Sequence, residues 1–306
     1  MTYVVGFAPD ERGRAALHLA AMLARSSGDD LVVCAVVPAP WFPSMARVDA
    51  EYHAYLDSQA DDALAHAKRQ LPADVHATFV RHRARSAPAG LLELAEQRGA
   101  PLIVLGSSSA GVFGHVALGS VTDRLLHSSH VPVALATRGF RAAPGLKVRR
   151  VTAAYGGSEG TDDLAVAAGA VAARVGARLR LASFAVWARP SYVTRLGADG
   201  EEAVLAEWLA EMRATTQEAL VRLRALPDGP HDLEAVLGFG TSWADALEDI
   251  DWAEGDVAVV GSSSMGPVAR VFLGSRATKI VRHCPVPVVV VPRAAAKELA
   301  HQATQT

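Results

Sequence analysis

Cysteine is nearly absent from this chain. Only Cys34 and Cys284 occur, one near each end, which excludes a disulfide framework and any all-cysteine zinc cluster. A reducing cytoplasm is the expected compartment. Charge of one sign is also missing: 30 Lys and Arg stand against 32 Asp and Glu, a net charge of −2. That balance gives no broad electrostatic footprint for nucleic acid or an anionic membrane. Charged residues are only 20% of the chain and hydrophobic ones 50%, the reverse of a disordered composition. No apolar run approaches the ~18 residues that span a bilayer. Even the Val-rich stretch 285–292 is short and interrupted by Pro287. The N-terminal Met1-Thr2-Tyr3-Val4-Val5-Gly6 enters a strand-like segment with no basic region and apolar stretch of the signal-peptide kind, so a protein that is not exported is expected.

What the chain does have is length and a repeat. Its 306 residues make two domains the first expectation, at roughly 100–200 residues per domain. The segment Leu102-Ile103-Val104-Leu105-Gly106-Ser107-Ser108-Ser109 recurs as Val257-Ala258-Val259-Val260-Gly261-Ser262-Ser263-Ser264, 155 residues later. Gly119-Ser120 and Pro132-Val133 recur at the same offset as Gly274-Ser275 and Pro287-Val288. The N-terminal strands, Val4-Val5-Gly6 and Thr152-Ala153-Ala154, lie only 148 apart, so the second copy carries about seven extra residues in its middle. A repeat of this size means a duplicated domain.

Within the first copy, strand-like runs at 3–7, 31–37, 75–80, 102–105 and 133–136 alternate with helical patterns at 13–25, up to 71, at 91–96 and at 120–128. Short β-branched runs separated by helices make parallel βαβ units. The fold class is therefore α/β: two tandem doubly wound domains, 1–140 and 146–296, each on a five-stranded parallel sheet. The Gly- and Pro-containing segment 138–147 is the boundary. The Ala-rich, polar segment after Arg293, with 297–306 as the tail, reads as a frayed helix or as disordered.

The stretch with most chemical content is Gly106-x2-Ser109-x9-Gly119-Ser120, repeated as Gly261-x2-Ser264-x9-Gly274-Ser275. It follows the carboxyl end of a parallel strand, where doubly wound sheets take ligands, and glycines there allow backbone to approach a phosphate. The serine after the last glycine would cap the next helix, whose N-terminal N–H groups favour an anion. The same residues would equally serve as a tight strand-to-loop turn and a helix cap with no ligand.

On these motifs, with the Pro-Val strands His130-Val131-Pro132-Val133 and Cys284-Pro285-Val286-Pro287-Val288 that follow them, the chain resembles the universal stress protein family in its tandem form. The family pattern is G-x2-G-x9-G-[ST]. The resemblance implies a Rossmann-like, adenine nucleotide alpha hydrolase-like fold, a stress-response role and an adenine nucleotide such as ATP as ligand. It implies no metal beyond a magnesium carried by that nucleotide. It places the phosphates at Gly106, Ser109, Gly119 and Ser120, and in a second site at Gly261, Ser264, Gly274 and Ser275. It also implies that the fifth strands, 133–136 and 288–291, pair across a two-fold axis, here an intrachain pseudo-dimer; whether two chains also pair is left open. The sequence departs from the pattern at four places. Ser109 and Ser264 replace the second glycine, and a serine there either donates a hydrogen bond or obstructs. Ala8 and Gly156 stand where the family has an aspartate, so an adenosine loses a charged hydrogen bond, about 1.5–3 kcal/mol.

Other candidates are weaker. Gly156-Gly157-Ser158-Glu159-Gly160 has nucleophile-elbow spacing, but a Gly-Ser turn ahead of a helix explains it. His127 with His130 and His76 with His82 lack a third zinc ligand. Arg81-His82-Arg83-Ala84-Arg85 after the third strand reads as an anion clamp or as a solvated loop; its counterpart, Leu237-Gly238-Phe239-Gly240-Thr241, is uncharged. The arginines make the first site the tighter expectation. Trp41, Phe42, Trp187, Tyr192 and Trp208 lie in or beside the insertion after each second strand, as packing residues, with Trp41 placed to flank a base. No set supplies a nucleophile, a base and an oxyanion site together, so binding and signalling, through a nucleotide or a protein partner, is expected over turnover. A slow nucleotide hydrolase is the competing class.

Overall fold

Runs of Val, Leu and Ala become strands here because helices cover both faces of the sheet they form. The computed structural model describes residues 1–39, 46–187, 197–226, 232–262 and 273–305. The first half runs β1 (Thr2–Gly6), α1 (Glu11–Ser27), β2 (Asp30–Pro38), α2 (Ala46–Gln70), β3 (Ala77–Ala84), α3 (Ala87–Arg98), β4 (Ile103–Gly106), α4 (Ser120–Ser128) and β5 (Val133–Ala136). The second repeats it as β6 (Arg150–Ala154), α5 (Glu159–Val175), β7 (Arg178–Val186), α6 (Gly197–Arg224), β8 (Leu233–Gly240), α7 (Trp243–Glu248), β9 (Asp256–Gly261), α8 (Ser275–His283) and β10 (Val288–Val291), then adds α9 (Arg293–Gln305).

The ten strands form one sheet in the order β3-β2-β1-β4-β5-β10-β9-β6-β7-β8. Pairing is parallel within each half. The seam is antiparallel, with Val288 opposite Leu135, Val289 opposite Ala134 and Val290 opposite Val133. The fifth strands therefore meet inside one chain, as the resemblance implied. Two apolar layers run across both halves. One face packs against α1, α2, α5, α6 and α9, the other against α3, α4, α7 and α8. No helix among the described residues is long and apolar enough to cross a membrane.

Local chemistry fixes the helix ends. Asp10 caps α1, accepting the N–H of Arg12 at 2.9 Å and of Gly13 at 3.2 Å, and Gly28 ends it in the left-handed region at φ 74°. Ser86 caps α3, and Pro88 occupies its first turn. Two readings change. The segment after Arg293 is not a loose tail: α9 is helical to Gln305 and buries Ala296 and Ala300 against α5. And β3 continues to Ala84, so Arg81, His82 and Arg83 lie in an edge strand rather than in a loop beyond it. Charges on an edge strand are a common guard against further pairing, and they disguise the strand in sequence.

Candidate functional site

β1 has β2 on one side and β4 on the other, so chain direction across the sheet reverses there. The crevice outside the strand ends at such a point is the ligand position of doubly wound sheets. A cleft of about 290 Å³ opens at this place, between the first turn of α1, α3 and the N-terminus of α4. Cys34, Val36, Leu91 and Leu105 give it an apolar floor, and Arg12, Ser108, Ser120 and Thr122 a polar rim. Gly6, Ala8, Gly106 and Gly119 also line it.

The two motif glycines serve different ends. A Cβ on Gly106 would lie 2.0 Å from the carbonyl oxygen of Arg12, so this glycine lets the first turn of α1 cross the end of β4. Gly13 makes the matching approach, with a Cβ position 1.9 Å from the Ala8 carbonyl. Gly119 is unlike them: its φ is −91° and the nearest atom to its Cβ position is Ser108 Cβ at 3.4 Å, an ordinary contact. Neither backbone strain nor packing demands a glycine there. Its bareness leaves the start of α4 open to the cleft. Gly119 is also the N-cap residue, and no side chain caps the helix; Ser120, expected as the cap, is its first helical residue. The first N–H groups of α4 thus lack a protein side-chain acceptor, the arrangement that suits an anion.

The loop between the two glycines is folded on itself. Ser107 Oγ, nearly buried, accepts the Ala117 N–H at 2.5 Å, and the Ser108 N–H donates to the Ala117 carbonyl at 2.8 Å. This turns Ser108 into the cleft, while Ser109 is exposed and does not line it. The serine at the family's second glycine position therefore neither fills nor narrows the cleft. Sequence spacing alone did not distinguish Ser108 from Ser109, nor did it find Cys34 or Arg12.

Charge at the rim comes from Arg12, whose guanidinium holds the Asp10 carboxylate at 2.8 and 2.5 Å. Burial opposes ionisation of Asp10, but Arg12 and the N–H of Gly13 outweigh it and hold its carboxyl below the usual range. At the floor, burial pushes the Cys34 thiol up to about 12. It is an apolar surface and not a nucleophile at neutral pH.

In the second half, Gly261 ends β9, Gly274 is the N-cap of α8 without a side-chain cap, and Ser275 is that helix's first residue. Ser264 lies outside the described residues. A Cβ on Gly261 would meet only Leu164 at 3.5 Å, so α5 does not press on its strand end as α1 does on Gly106. Instead, Ser262 Oγ accepts the Arg293 N–H at 3.1 Å, joining this strand end to the start of α9. A larger crevice of about 370 Å³ lies between α6 and β8, beside Arg213, Thr216 and Leu237. No motif residue lines it.

The Universal stress protein family model matches residues 1–137 and again 147–292. This chain belongs to the universal stress protein family. Curated universal stress proteins of Mycobacterium tuberculosis and Mycobacterium bovis are each 40% identical over 296 residues, covering 95% of this chain and all of theirs. Among solved structures, a universal stress protein from Archaeoglobus fulgidus superposes with a TM-score of 0.62 at 19% identity, over 95% of this chain and 98% of its own. A putative universal stress protein from Pseudomonas aeruginosa gives 0.55 at 14%, over 99% and 97%. At such identities the structures support the shared fold.

Within this universal stress protein the anion clamp is not formed. Arg81 pairs with Asp61 at 2.8 Å and Asp57 at 3.5 Å, and Arg83 with Asp57 at 2.5 Å. Both arginines are thus committed to carboxylates of α2, and none of the run lines the cleft. The argument that they make the first site the tighter one falls with them. His82 faces the other way, 3.1 Å from Glu93 of α3. Ser158 heads α5, with its N–H donating to Thr161 Oγ1 at 2.9 Å, and Gly157 takes φ 69° in the preceding turn. Among the described residues no group of three or more His, Cys, Asp or Glu could hold a metal. Trp187 and Trp208 pack with ring centroids 5.9 Å apart. Trp41, Phe42 and Tyr192 lie outside the described residues.

Proposed function

We propose that this universal stress protein binds an adenine nucleotide in the first-half cleft and acts in the stress response through that occupancy, without rapid turnover. The phosphates would rest against Gly106, Ser108 and the Gly119–Ser120 start of α4, with Ser109 at the loop's outer side. Gly261, Ser264, Gly274 and Ser275 would offer a second site. The observation that carries the reading is Gly119: a bare, unstrained N-cap that opens uncapped helix N–H groups to the cleft. The apolar floor suits a base or other flat ring, and Ala8 leaves that ring without a carboxylate partner.

Titration calorimetry with AMP, ATP and cyclic AMP tests it on the wild type and on Gly119→Val. Heat with the wild type and none with the variant supports the reading. No heat up to millimolar nucleotide overturns it. A partner-protein role is the second reading, favoured by Val112 and Phe113, adjacent and each 71% exposed on the same loop. ATP turnover abolished by Ser120→Ala would instead favour a hydrolase.

A further inference from the structure

The loop that turns Ser108 into the cleft is also held from outside, by the first residues of the interdomain linker. Arg138 stands two residues beyond β5. Its N–H donates to the His115 carbonyl at 2.9 Å, and its own carbonyl accepts the Gly114 N–H at 3.0 Å. Its side chain reaches further, with Nη1 donating to the Gly111 carbonyl. One residue is therefore bonded to the loop at three points.

The next residue completes the clasp. Gly139 has φ 77°, and a Cβ on it would lie 2.2 Å from the Phe113 ring, so one edge of that otherwise exposed ring touches bare linker backbone. Any L side chain would both strain that backbone and displace the ring.

Arg138 Nε is buried with no hydrogen-bond partner. An unsatisfied buried donor disfavours folding, so the guanidinium is a poor choice if filling space were its only task. The repeat adds a separate observation. At the 155-residue offset Arg138 corresponds to Arg293, which also stands two residues beyond its strand, and whose N–H is bonded to Ser262 at the start of the equivalent loop. Both halves place an arginine at this strand exit.

We infer that Arg138 is a positioning residue, a latch that fixes the 107–119 loop to the linker and thereby sets the affinity of the cleft. The affinity part rests on the nucleotide reading above; the latch itself does not. Arg138 touches no ligand in this scheme. It acts by holding Gly111, Gly114 and His115 so that Ser108 stays beside Gly119 at the edge of the cleft.

The test compares the wild type with Arg138→Met, which keeps the chain length and loses the donors, and Arg138→Lys, which keeps one charged donor. Amide hydrogen exchange is followed without ligand, and AMP affinity by calorimetry. In Arg138→Met the amides of 108–117 should exchange about ten-fold faster or more, the effect of losing a charged hydrogen bond, while those of β1 and β4 keep their rates. AMP affinity should fall by about the same factor, and Arg138→Lys should recover part of both. Loop exchange at the wild-type rate, or faster exchange throughout the sheet, would overturn the latch. Fast loop exchange with unchanged AMP affinity would overturn its control of the cleft. If AMP gives no heat with the wild type, the nucleotide reading fails, and the exchange measurement still decides the latch.

Discussion

Arg150 holds the buried carboxylate of Asp256 from two nitrogens, Nε at 3.1 Å and Nη2 at 2.5 Å, at the amino end of the second half's sheet. Asp256 is 2% exposed and has a second cation beside it, Arg180, itself 1% exposed, with Nη2 at 3.9 Å. Arg180 also lies 4.7 Å from the Trp252 ring centre. Burial and then Arg150 lower the proton affinity of Arg180, and Asp256 only partly opposes them. Asp256→Ala would take the buried carboxylate from two guanidinium groups and leave them sharing the more exposed Glu234. Breaking a buried pair by removing one partner costs about 3–5 kcal/mol, read as a lower urea midpoint. Arg180→Met, which leaves Arg150 and Asp256 paired, should cost much less; an equal loss would show that Arg180 is the main partner.

The two glycines of the first motif should part company on substitution. Gly106→Ala drives a methyl into the Arg12 carbonyl and must shift α1, an overpacking cost of about 1–3 kcal/mol. Gly119→Ala meets only an ordinary contact and should cost under about 1 kcal/mol. Thermal unfolding of the two variants checks the ordering, and nucleotide titration should show the larger loss of affinity per unit of stability at Gly119.

At the seam, Leu135 and its partner Val288 are both fully buried. Leu135→Asp places a carboxylate there with no cation or donor among the facing Val and Ala side chains. The expected cost is about 4 kcal/mol or more, seen as loss of soluble protein or a separate unfolding step for each half. Val289→Thr, at a partly buried seam position, should be mild by comparison.

His18 of α1 supplies a pH dependence. Burial, then the positive charges of Arg141 and Arg14, hold its pKa below the usual value, against a hydrogen bond to Ala142. The unfolded chain therefore binds this proton more readily than the folded one. Stability from this group is complete above the unfolded pKa of about 6.5 and is lost as pH falls through it, levelling off below the folded value. Urea midpoints between pH 8 and 5 should show the decline, and His18→Gln should flatten it. A midpoint rising on acidification would contradict the assignment.

The duplicated strand and glycine motif made the sheet and the cleft's position legible, because apolar runs and strand-to-helix glycines report backbone geometry directly; the seam was implied by the family resemblance and by no local pattern. Charge misled where tertiary partners decide the outcome. Arg81 and Arg83 read as a loop or a clamp, yet Asp57 and Asp61, some twenty residues away, hold them on an edge strand. Two adjacent serines cannot be told apart by spacing, and it is the bonds of Ser107 and Ser108 to Ala117 that turn Ser108 inward. Gly106 reads as ligand approach and does line the cleft, but its bareness also admits the α1 backbone, a contact between elements that no local pattern encodes. The final helix reads from sequence only as frayed or disordered because its buried face is Ala296 and Ala300, too small to produce a strong periodic signal.

Because the β5–β10 seam joins two parts of one polypeptide, its formation is a first-order event. Dilution that would dissociate a pair of separate subunits leaves it intact, and the tether keeps the strands at a high effective concentration. The stoichiometry of the two halves is likewise locked at one to one. Neither half must be self-complementary, as the faces of a symmetric pair must be, so each is free to vary against a fixed companion. The crossing of Gly106 by α1, and the joining of Ser262 to α9, already record that divergence at equivalent strand ends.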